Sequence, residues 1–344
     1  MSAQDTGLAP GEVPAARGLL PAGQLAEQVE SALLGGPRRY TRLEVAQAAG
    51  VSLERARRIW QALGFADVDD AARVFTDGDV EALRTWDALM ATRKIPADDE
   101  VPHVRAIGQT MSRLADWQVR EIMARIAETA GPDESARAAG AAEMTDTLLP
   151  VVERLMAYTW RRHLAAAAGR ILATPTDELA TVTLVVGFAD IVGYTSTVRH
   201  SDIDELAALL ESFEENAAEA IVTNHGRVIK SLGDEVLFAA DSAQDAAAIA
   251  VRLSDPVRAA SHLPQLRVGM ALGRVLTRFG DVYGPAVNLA SRLTSLARPG
   301  TVLVDRELAQ ALRDDDDYVL RPRRPATVRG YHHLRSWSLR SRQR

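Results

Sequence analysis

The spacing of apolar residues changes near residue 174, and this change constrains the fold more than any other feature of the 344-residue chain. Before it, apolar residues recur at helical spacing and are interrupted by glycine and proline. Beyond it, strand-like runs such as TVTLVVGFAD alternate with amphipathic helical stretches. The sequence predicts four segments: a flexible N-terminus at 1–22, an all-α domain at 23–173, a linker at 174–180 and an α+β domain at 181–344.

Helix-capping signals define several boundaries in the first half. Thr41 and, three residues later, Glu44 form a capping-box pattern that opens LEVAQAAG. Gly50 ends this helix, and Ser52 caps the next one, LERARRIWQALG. Two further helices are predicted, one from Thr76 and one over 150–172, where it connects the two domains.

The second half orders its elements as strand, helix, strand, strand, helix, strand. The strands are TVTLVVGFAD, RVIKSL, EVLFAAD and QLRVGMALG, and the tight turn Gly233-Asp234 joins the second to the third. A further helix, AVNLASRLTSL, and a strand, TVLVD, follow them. The order βαββαβ is the ferredoxin-like plan, so an α+β domain of this plan is predicted.

Composition limits the binding partners and the cellular compartment that we expect for this protein. The formal net charge is −6, which provides no general attraction to nucleic acid or to an anionic membrane. The chain has no cysteine, which excludes disulfides and thiolate metal sites. Neither a signal-peptide pattern nor a run of about 20 apolar residues is present. We therefore expect a cytoplasmic protein without a membrane partner.

Two acids are predicted to meet at one edge of the sheet. Asp190 ends an apolar strand in FADIVGYT, and Asp234 lies in the turn of the neighbouring hairpin. Two carboxylates at that edge suit two divalent metal ions, Mg²⁺ or Mn²⁺, which take oxygen ligands and bind nucleotide phosphates. Tyr194 and Thr195 follow at a helix start, where backbone N–H groups favour phosphate. Taken alone, each acid is more typical of a strand end or a turn.

A second polar cluster lies in GDVYGPAVNLASRL. Asn288 and Arg292 are four residues apart on a predicted helix and project from one face. A guanidinium there could neutralise charge on a pentavalent phosphorus, and an amide could hold a ribose. Adenine presents an acceptor at N1 and a donor at N6, which Lys230 and Asp281, the latter in a Gly-flanked turn, would complement. Individually, these residues also fit a solvated helix face or an edge strand.

Together, FADIVGYT, IKSLGDEV and GDVYGPAVNLASRL resemble, in order and spacing, the three signature segments of class III adenylyl cyclases. The resemblance covers about 181–340. It implies metal binding by Asp190, Asp234 and the backbone carbonyl of Ile191, adenine selection by Lys230 and Asp281, ribose orientation by Asn288, and transition-state stabilisation by Arg292. Where the family has a phosphate-binding lysine before a glycine near the C-terminus, this chain has Arg329, which keeps the charge but changes the contact geometry.

The resemblance also implies a symmetric homodimer. In this family, the metal ligands and the base-selecting residues of one active site come from different subunits, and this chain carries both sets. A monomer would then be inactive. The implied reaction converts ATP to 3′,5′-cyclic AMP and pyrophosphate, and either Asp190 or water could take the proton of the ribose 3′-hydroxyl. ATP is favoured over GTP because guanylyl cyclases of the family carry other residues in place of Lys230 and Asp281.

Residues 40–65 resemble the winged helix-turn-helix of MerR-like regulators. Its local basicity comes from Arg38, Arg39, Arg42, Arg55, Arg57 and Arg58. The net acidic chain and the frequency of this geometry as simple helix packing favour a structural or regulatory use over nucleic-acid binding. An all-α half before a cyclase half is similar to soluble bacterial cyclases with an inhibitory N-terminal domain. We therefore expect regulation through the connecting helix. The signal stays open between a small molecule and pH acting on His163, although an exposed histidine without a function is the more typical case.

Two other kinds of function fit parts of the pattern. LGDEVLF superficially resembles the GGDEF turn of diguanylate cyclases, although that family has no counterpart of the helix with Asn288 and Arg292. A guanylate cyclase is a related alternative. The second kind is a DNA-binding or signalling regulator whose cyclase-like half only senses nucleotide, and the presence of all six polar residues speaks against it.

Overall fold

The structure, a computed structural model, describes residues 29–34, 36–131, 133–172, 181–255, 264–328 and 330–342. These residues divide into two compact units, one ending at Ala167 and the other beginning at Ala168. The N-terminus predicted to be flexible (1–22), the predicted linker (174–180) and Arg329 lie outside the described residues.

The first unit is helical, as its periodicity predicts. Its helices are α1 (Arg42–Ala49), α2 (Leu53–Leu63), α3 (Asp77–Ala91), α4 (Glu100–Ala130), α5 (Glu134–Glu143) and α6 (Leu149–Leu172), with a 3-10 turn at Ala97–Asp99 and a π-helical turn at Met144–Leu148. The helices predicted from Thr76 and over 150–172 are confirmed as α3 and α6.

Local capping chemistry sets the boundaries of α1 and α2. The Thr41 N–H donates to the Glu44 carboxylate at 2.8 Å, and the Glu44 N–H donates to the Thr41 hydroxyl at 3.3 Å. Gly50 follows α1 with a left-handed φ of 77°. The Ser52 hydroxyl accepts from the Arg55 N–H at 3.2 Å. The predicted capping box, helix end and second cap are therefore confirmed.

The core of the first unit forms where α1, α2 and α3 meet the start of α4. Trp60 stacks on Phe75, with ring centroids 4.7 Å apart. Val45, Ile59 and Val104 are buried in the same cluster. The helix-turn-helix-like segment thus packs into a hydrophobic core that it shares with two later helices, which is what a structural role requires.

The arginines of this segment are engaged in ion pairs within the first unit. Arg38 pairs with Glu30, Arg39 with Asp77, Arg42 with Asp67 and Asp70, Arg55 with Asp87 and Glu100, and Arg57 with Asp70. Five of the six residues that make the segment locally basic are thereby neutralised at close range. This pairing favours a structural use of the segment over contact with nucleic-acid phosphates.

The second unit has the predicted βαββαβ order. Its strands are β1 (Thr181–Ile191), β2 (Arg227–Ser231), β3 (Glu235–Ala240), β4 (Leu266–Arg278), β5 (Asp281–Tyr283), β6 (Val302–Val304), β7 (Tyr318–Pro322), β8 (Ala326–Val328), β9 (Tyr331–Leu334) and β10 (Trp337–Ser341). Its helices are α7 (Tyr194–Val198), α8 (Ile203–Thr223), α9 (Ala243–Leu253), α10 (Pro285–Leu296) and α11 (Arg306–Ala311). The main sheet runs β2-β3-β1-β4-β6-β10-β7, with β5 paired to β4, while β8 and β9 form a separate hairpin. The α+β, ferredoxin-like prediction is confirmed.

Side-chain alternation along β1 divides the core between the two faces of the sheet. Val185 and Ala189 are buried in the cluster that contains the inner faces of α8 and α9. Val186 and Phe188 are buried in the cluster that contains the inner face of α10. Because side chains alternate along a strand, Asp190 lies on the α10 side, at the end of β1.

Strand β4 is longer than predicted and turns sharply into β5. The prediction ended this strand at Gly273 and placed Asp281 in a turn, and both placements are wrong. Phe279 and Gly280 have left-handed φ values of 53° and 79°. Arg278 and Asp281, on either side of the turn, are opposite each other in the antiparallel pairing of β4 with β5. Two left-handed turn residues match the twist of the strands on either side. Asp281 therefore begins a strand.

Asp305 is a buried acid that disfavours folding at neutral pH. It is 2% exposed, and its Oδ1 accepts from the N–H groups of Leu308 at 3.0 Å and Leu272 at 3.3 Å. Burial and a hydrogen bond with Glu307 raise the pKa of Asp305 to about 7. The unfolded carboxyl titrates near 4, so the unfolded state loses this proton first, and stability is lost as pH rises from about 4 to 7.

We expect Asp305→Asn to stabilise the protein at pH 8 by about 1–3 kcal/mol, because the amide keeps the Oδ1 acceptor and folding then neither takes up a proton nor buries a negative charge. Near pH 4, where the native carboxyl is protonated, wild type and variant should be equally stable. Urea unfolding at both pH values measures the difference. Asp305→Ala, which loses the helix cap, should be less stable at both. An Asn variant that gains nothing at pH 8 would contradict the argument.

The connecting helix α6 exposes large apolar side chains. It buries none of its residues, and Leu155, Tyr158 and Trp160 are 59%, 62% and 63% exposed. His163 is exposed on the same helix. None of the helices in the described ranges is both long and apolar enough to cross a lipid bilayer. An apolar surface of this kind on a helix is typical of a protein interface.

Candidate active site

The acids predicted to bind metal lie at one end of the central strands. Because β1 pairs with both β3 and β4, Asp190 faces Glu235 on one side and Arg267 on the other. Asp234 precedes Glu235 in the hairpin turn, and its carbonyl accepts from the Ile191 N–H at 2.9 Å. The strand order thus brings both acids together with two charged residues that the sequence analysis missed. We call Asp190, Asp234, Glu235 and Arg267 the acid edge.

The acid edge carries more negative than positive charge. Asp190 is 7% exposed, and the Arg267 guanidinium donates to its Oδ2. Burial raises the pKa of Asp190, Arg267 opposes this rise, and Asp234 adds to it. Burial, together with Asp190 and Asp234, raises the pKa of Glu235 to about 7. A divalent cation at this edge would offset the repulsion among three acids that share one guanidinium.

The donor atoms at the acid edge fit Mg²⁺ or Mn²⁺. Asp190 and Asp234 provide carboxylate oxygens, Ile191 provides a carbonyl oxygen, and hard divalent cations prefer such ligands. In the part of the chain that the structure describes, no three His, Cys, Asp or Glu side chains are grouped so that they could hold a metal ion. Water and phosphate oxygens would complete the coordination, as is usual for Mg²⁺ at nucleotide sites.

Lys230 and Asp281 lie on different strands and form an ion pair. The distance from Lys230 Nζ to Asp281 Oδ2 is 2.5 Å, and Asp281 Oδ1 accepts from the Val282 N–H at 2.8 Å. Burial raises the pKa of Asp281, but the hydrogen bonds from Lys230 and Val282 outweigh it, and the pKa is lowered. The pair therefore presents a charged donor beside a charged acceptor.

Asn288 and Arg292 project from α10 with free polar groups. The helix begins at Pro285 and buries its opposite face, which includes Ala290 and Leu293. Asn288 is exposed and Arg292 is half-buried. Among the described residues, neither side chain has a hydrogen-bond or ion-pair partner. In the described part of the chain, two polar side chains one helical turn apart are therefore available to bind a ligand.

The two remaining predicted phosphate-binding residues differ in their surroundings. Tyr194 and Thr195 begin α7, which follows the left-handed Gly193. The Tyr194 ring packs against the main core of the second unit, whereas Thr195 is exposed. Of these two side chains, the Thr195 hydroxyl is thus the more accessible to solvent.

Lys230, Asp281, Asn288 and Arg292 form a second polar set. In the described part of one chain, this set is not bonded to the acid edge. Asp190 pairs with Arg267, and Lys230 pairs with Asp281, but within the described residues no hydrogen bond or ion pair crosses between the two sets. Strand order is the signal that could have revealed Arg267 and Glu235. The ferredoxin-like plan places β1 between β3 and β4, so residues that begin those strands must flank Asp190.

The chain is similar to known proteins over its second unit and over most of its length. Residues 175–341 match the adenylate and guanylate cyclase catalytic domain family. An adenylate cyclase of Streptomyces coelicolor is 43% identical over 84% of this chain and 75% of its own length, and one of Streptomyces griseus is 42% identical over 84% and 72%. The crystal structure of the adenylyl cyclase CyaB from P. aeruginosa matches 46% of this chain and 94% of its own, at 21% identity and a TM-score of 0.42.

The second unit is a nucleotide cyclase catalytic domain by its sequence match. The chain as a whole belongs to the class III adenylyl cyclase family.

Proposed function

We propose that the chain is an adenylate cyclase that converts ATP to 3′,5′-cyclic AMP and pyrophosphate, using two divalent metal ions at each of two sites in a homodimer. The observation that carries the choice of ATP is the Lys230–Asp281 pair. With the Lys230 donor at N1 and the Asp281 acceptor at N6, the pair would match adenine, whereas guanine reverses the two, with a donor at N1 and an acceptor at O6. The names of the Streptomyces relatives support the same substrate.

The acid edge would hold the metal ions through Asp190, Asp234 and the Ile191 carbonyl. When bound, the ions would lower the pKa of the ribose 3′-hydroxyl and offset the charge of the departing pyrophosphate. The excess negative charge of the acid edge and its oxygen donors support this assignment.

The free side chains on α10 would act on the ribose and the reacting phosphate. Asn288 would hold the ribose so that its 3′-hydroxyl is in line with the α-phosphate. Arg292 would set its guanidinium against the phosphorus, where negative charge accumulates in the transition state. Tyr194 and Thr195, through the start of α7, and Arg329 would contact the other phosphates.

Each active site would be shared by two protomers. The acid edge of one protomer would face Lys230, Asp281, Asn288 and Arg292 of its partner. Within the described part of one chain, no hydrogen bond or ion pair joins these two sets, which supports this arrangement. The apolar surface of α6, with Trp160 63% exposed, gives a second copy a further region to cover.

Product identification tests the proposed function directly. Purified full-length protein is incubated with ATP or GTP and Mn²⁺ or Mg²⁺, and the nucleotide products are separated. We expect cyclic AMP from ATP, much less product from GTP, and loss of both on chelation of the metal. Absence of cyclic AMP with every metal would favour a nucleotide-sensing regulator, and cyclic di-GMP from GTP would favour a diguanylate cyclase.

We also propose that the first unit regulates the second through α6. This helix ends at Leu172 and β1 begins at Thr181, so only a short segment of sequence joins the helix to the strand that carries Asp190. A movement of the helix could therefore reach that strand. An exposed apolar helix can adopt alternative packing partners, which supports a regulatory role.

Removal of the first unit should change the activity. We expect residues 174–344 to turn over ATP several-fold faster than the full chain if the first unit is inhibitory. Specific activity at matched concentration, measured between about pH 5 and 8, checks this and reveals any pH dependence that only the full chain shows. Equal activity at every pH would contradict the proposal. A pH dependence retained in His163→Ala would exclude that histidine as the sensor.

A further inference from the structure

Arg267 is the only basic residue of the acid edge, and it is held directly against Asp190. It is the second residue of β4, and the strand register places it opposite Asp190 on β1. Two of its guanidinium nitrogens approach the same carboxylate oxygen, Oδ2. A two-nitrogen contact of this kind is a strong, charge-assisted interaction.

The contact satisfies an acid that would otherwise be unpaired. The Asp190 side chain is 10% exposed, whereas that of Arg267 is 38% exposed. A buried carboxylate beside Asp234 and Glu235 is unfavourable without a counter-charge. The long arginine side chain can leave for solvent without movement of β4, but the aspartate at the end of β1 cannot.

We propose that Arg267 is a placeholder cation, which occupies the cation-binding oxygen of Asp190 until a divalent metal ion displaces it. This inference rests on the proposed function, because it takes Asp190 as a metal ligand. It adds that Arg267 and the metal ion compete for one oxygen atom. Arg267 would thereby keep the empty acid edge folded and charged, and it would also weaken metal binding in the absence of nucleotide.

The competition predicts that removal of Arg267 tightens metal binding. We expect Arg267→Gln to bind Mn²⁺ about tenfold more tightly than wild type, because the ion no longer has to break a charge-assisted hydrogen bond. Electron paramagnetic resonance of free Mn²⁺, titrated against full-length protein without nucleotide, measures the affinity. Arg274→Gln is the matched control, because Arg274 lies on the same strand and, among the described residues, its side chain bonds Thr181 alone, at 2.7 Å. It should bind Mn²⁺ like wild type.

Asp190→Asn, alone and combined with Arg267→Gln, completes a double-mutant cycle. We expect the gain from Arg267→Gln to vanish when Asp190 is absent. An unchanged or weaker Mn²⁺ affinity in Arg267→Gln, or a gain that persists without Asp190, would overturn the inference. If cyclic AMP still forms from ATP in that case, the proposed function stands. Mn²⁺ binding that never depends on Asp190, together with no cyclic AMP, would instead remove the proposed function.

Discussion

A mixture of Asp190→Ala and Lys230→Ala proteins should recover activity that neither protein has alone. Asp190→Ala is expected to lower kcat by roughly 10²–10³-fold, the range for loss of one group that stabilises charge in the transition state. Lys230→Ala is expected to lower kcat/KM strongly, because N1 of adenine loses its hydrogen-bond donor. In a heterodimer of the two variants, one site carries both substitutions and the other carries neither. Random pairing makes half of the dimers mixed, so the mixture should approach about a quarter of wild-type activity.

The control mixtures use pairs from the same side of the site. Asp190→Ala with Asp234→Ala leaves both sites of the heterodimer with a damaged acid edge. Lys230→Ala with Arg292→Ala leaves both sites with a damaged nucleotide-binding set. Both mixtures should stay as inactive as their parents. Steady-state cyclic AMP formation is measured after subunit exchange, which two affinity tags confirm.

Two outcomes would contradict the shared site. The first is an inactive Asp190→Ala and Lys230→Ala mixture in which tagged heterodimers are present. The second is equal recovery in the control mixtures, in which no heterodimer has an intact site. Such recovery would mean that contact between subunits restores folding and does not restore an active site. The design therefore separates complementation of chemistry from complementation of stability.

Elements governed by local chemistry were predictable from the sequence. The capping pair Thr41 and Glu44, the left-handed Gly50 and the Ser52 cap all interact within a few residues, and each is present as predicted. The βαββαβ order was equally predictable, because buried strands and amphipathic helices differ in period. The sequence also named Lys230 and Asp281 together, through their complementarity to one base, and the structure places the two side chains in contact.

Features that depend on contacts between distant segments were not predictable in this way. Arg267 is 77 residues from Asp190, and only the strand order brings them together. The basic helix-turn-helix-like segment was misleading for the same reason. Arg55, for example, is neutralised by Glu100, 45 residues later. The charge of a sequence segment does not include acidic residues from distant segments that the tertiary fold brings next to it.

The helix that carries Asn288 and Arg292 approaches β4 most closely at a glycine, which leads to the second large expected effect. Gly269 lies on β4 beneath α10. A β-carbon on residue 269 would lie 2.1 Å from the Thr294 amide nitrogen and 2.6 Å from the Ala290 carbonyl oxygen. Both atoms belong to the helix backbone, so no side-chain rotation can relieve the clash. The helix would have to move away from the sheet.

Gly269→Ala should therefore destabilise the protein by about 2–4 kcal/mol, at or above the usual range for overpacking a core. It should also lower kcat by about 100-fold, because a displacement of about 1 Å in a catalytic group costs that much. Gly273→Ala is the matched control. It lies on the same strand face under the same helix, but its β-carbon would meet only the Ala286 side chain, at 3.2 Å. Urea unfolding and steady-state kinetics of both variants measure the two effects.

The comparison of the two variants isolates the position of α10 from general damage to β4. If Gly269→Ala matched Gly273→Ala in stability and turnover, the close contact at Thr294 would not position the helix. If Gly269→Ala lost stability but kept its kcat, Asn288 and Arg292 would not need their position on α10, and their proposed roles would fail. A joint loss confined to Gly269→Ala would tie the packing of a buried glycine on β4 to the chemistry of two residues on the far face of the helix that packs against it.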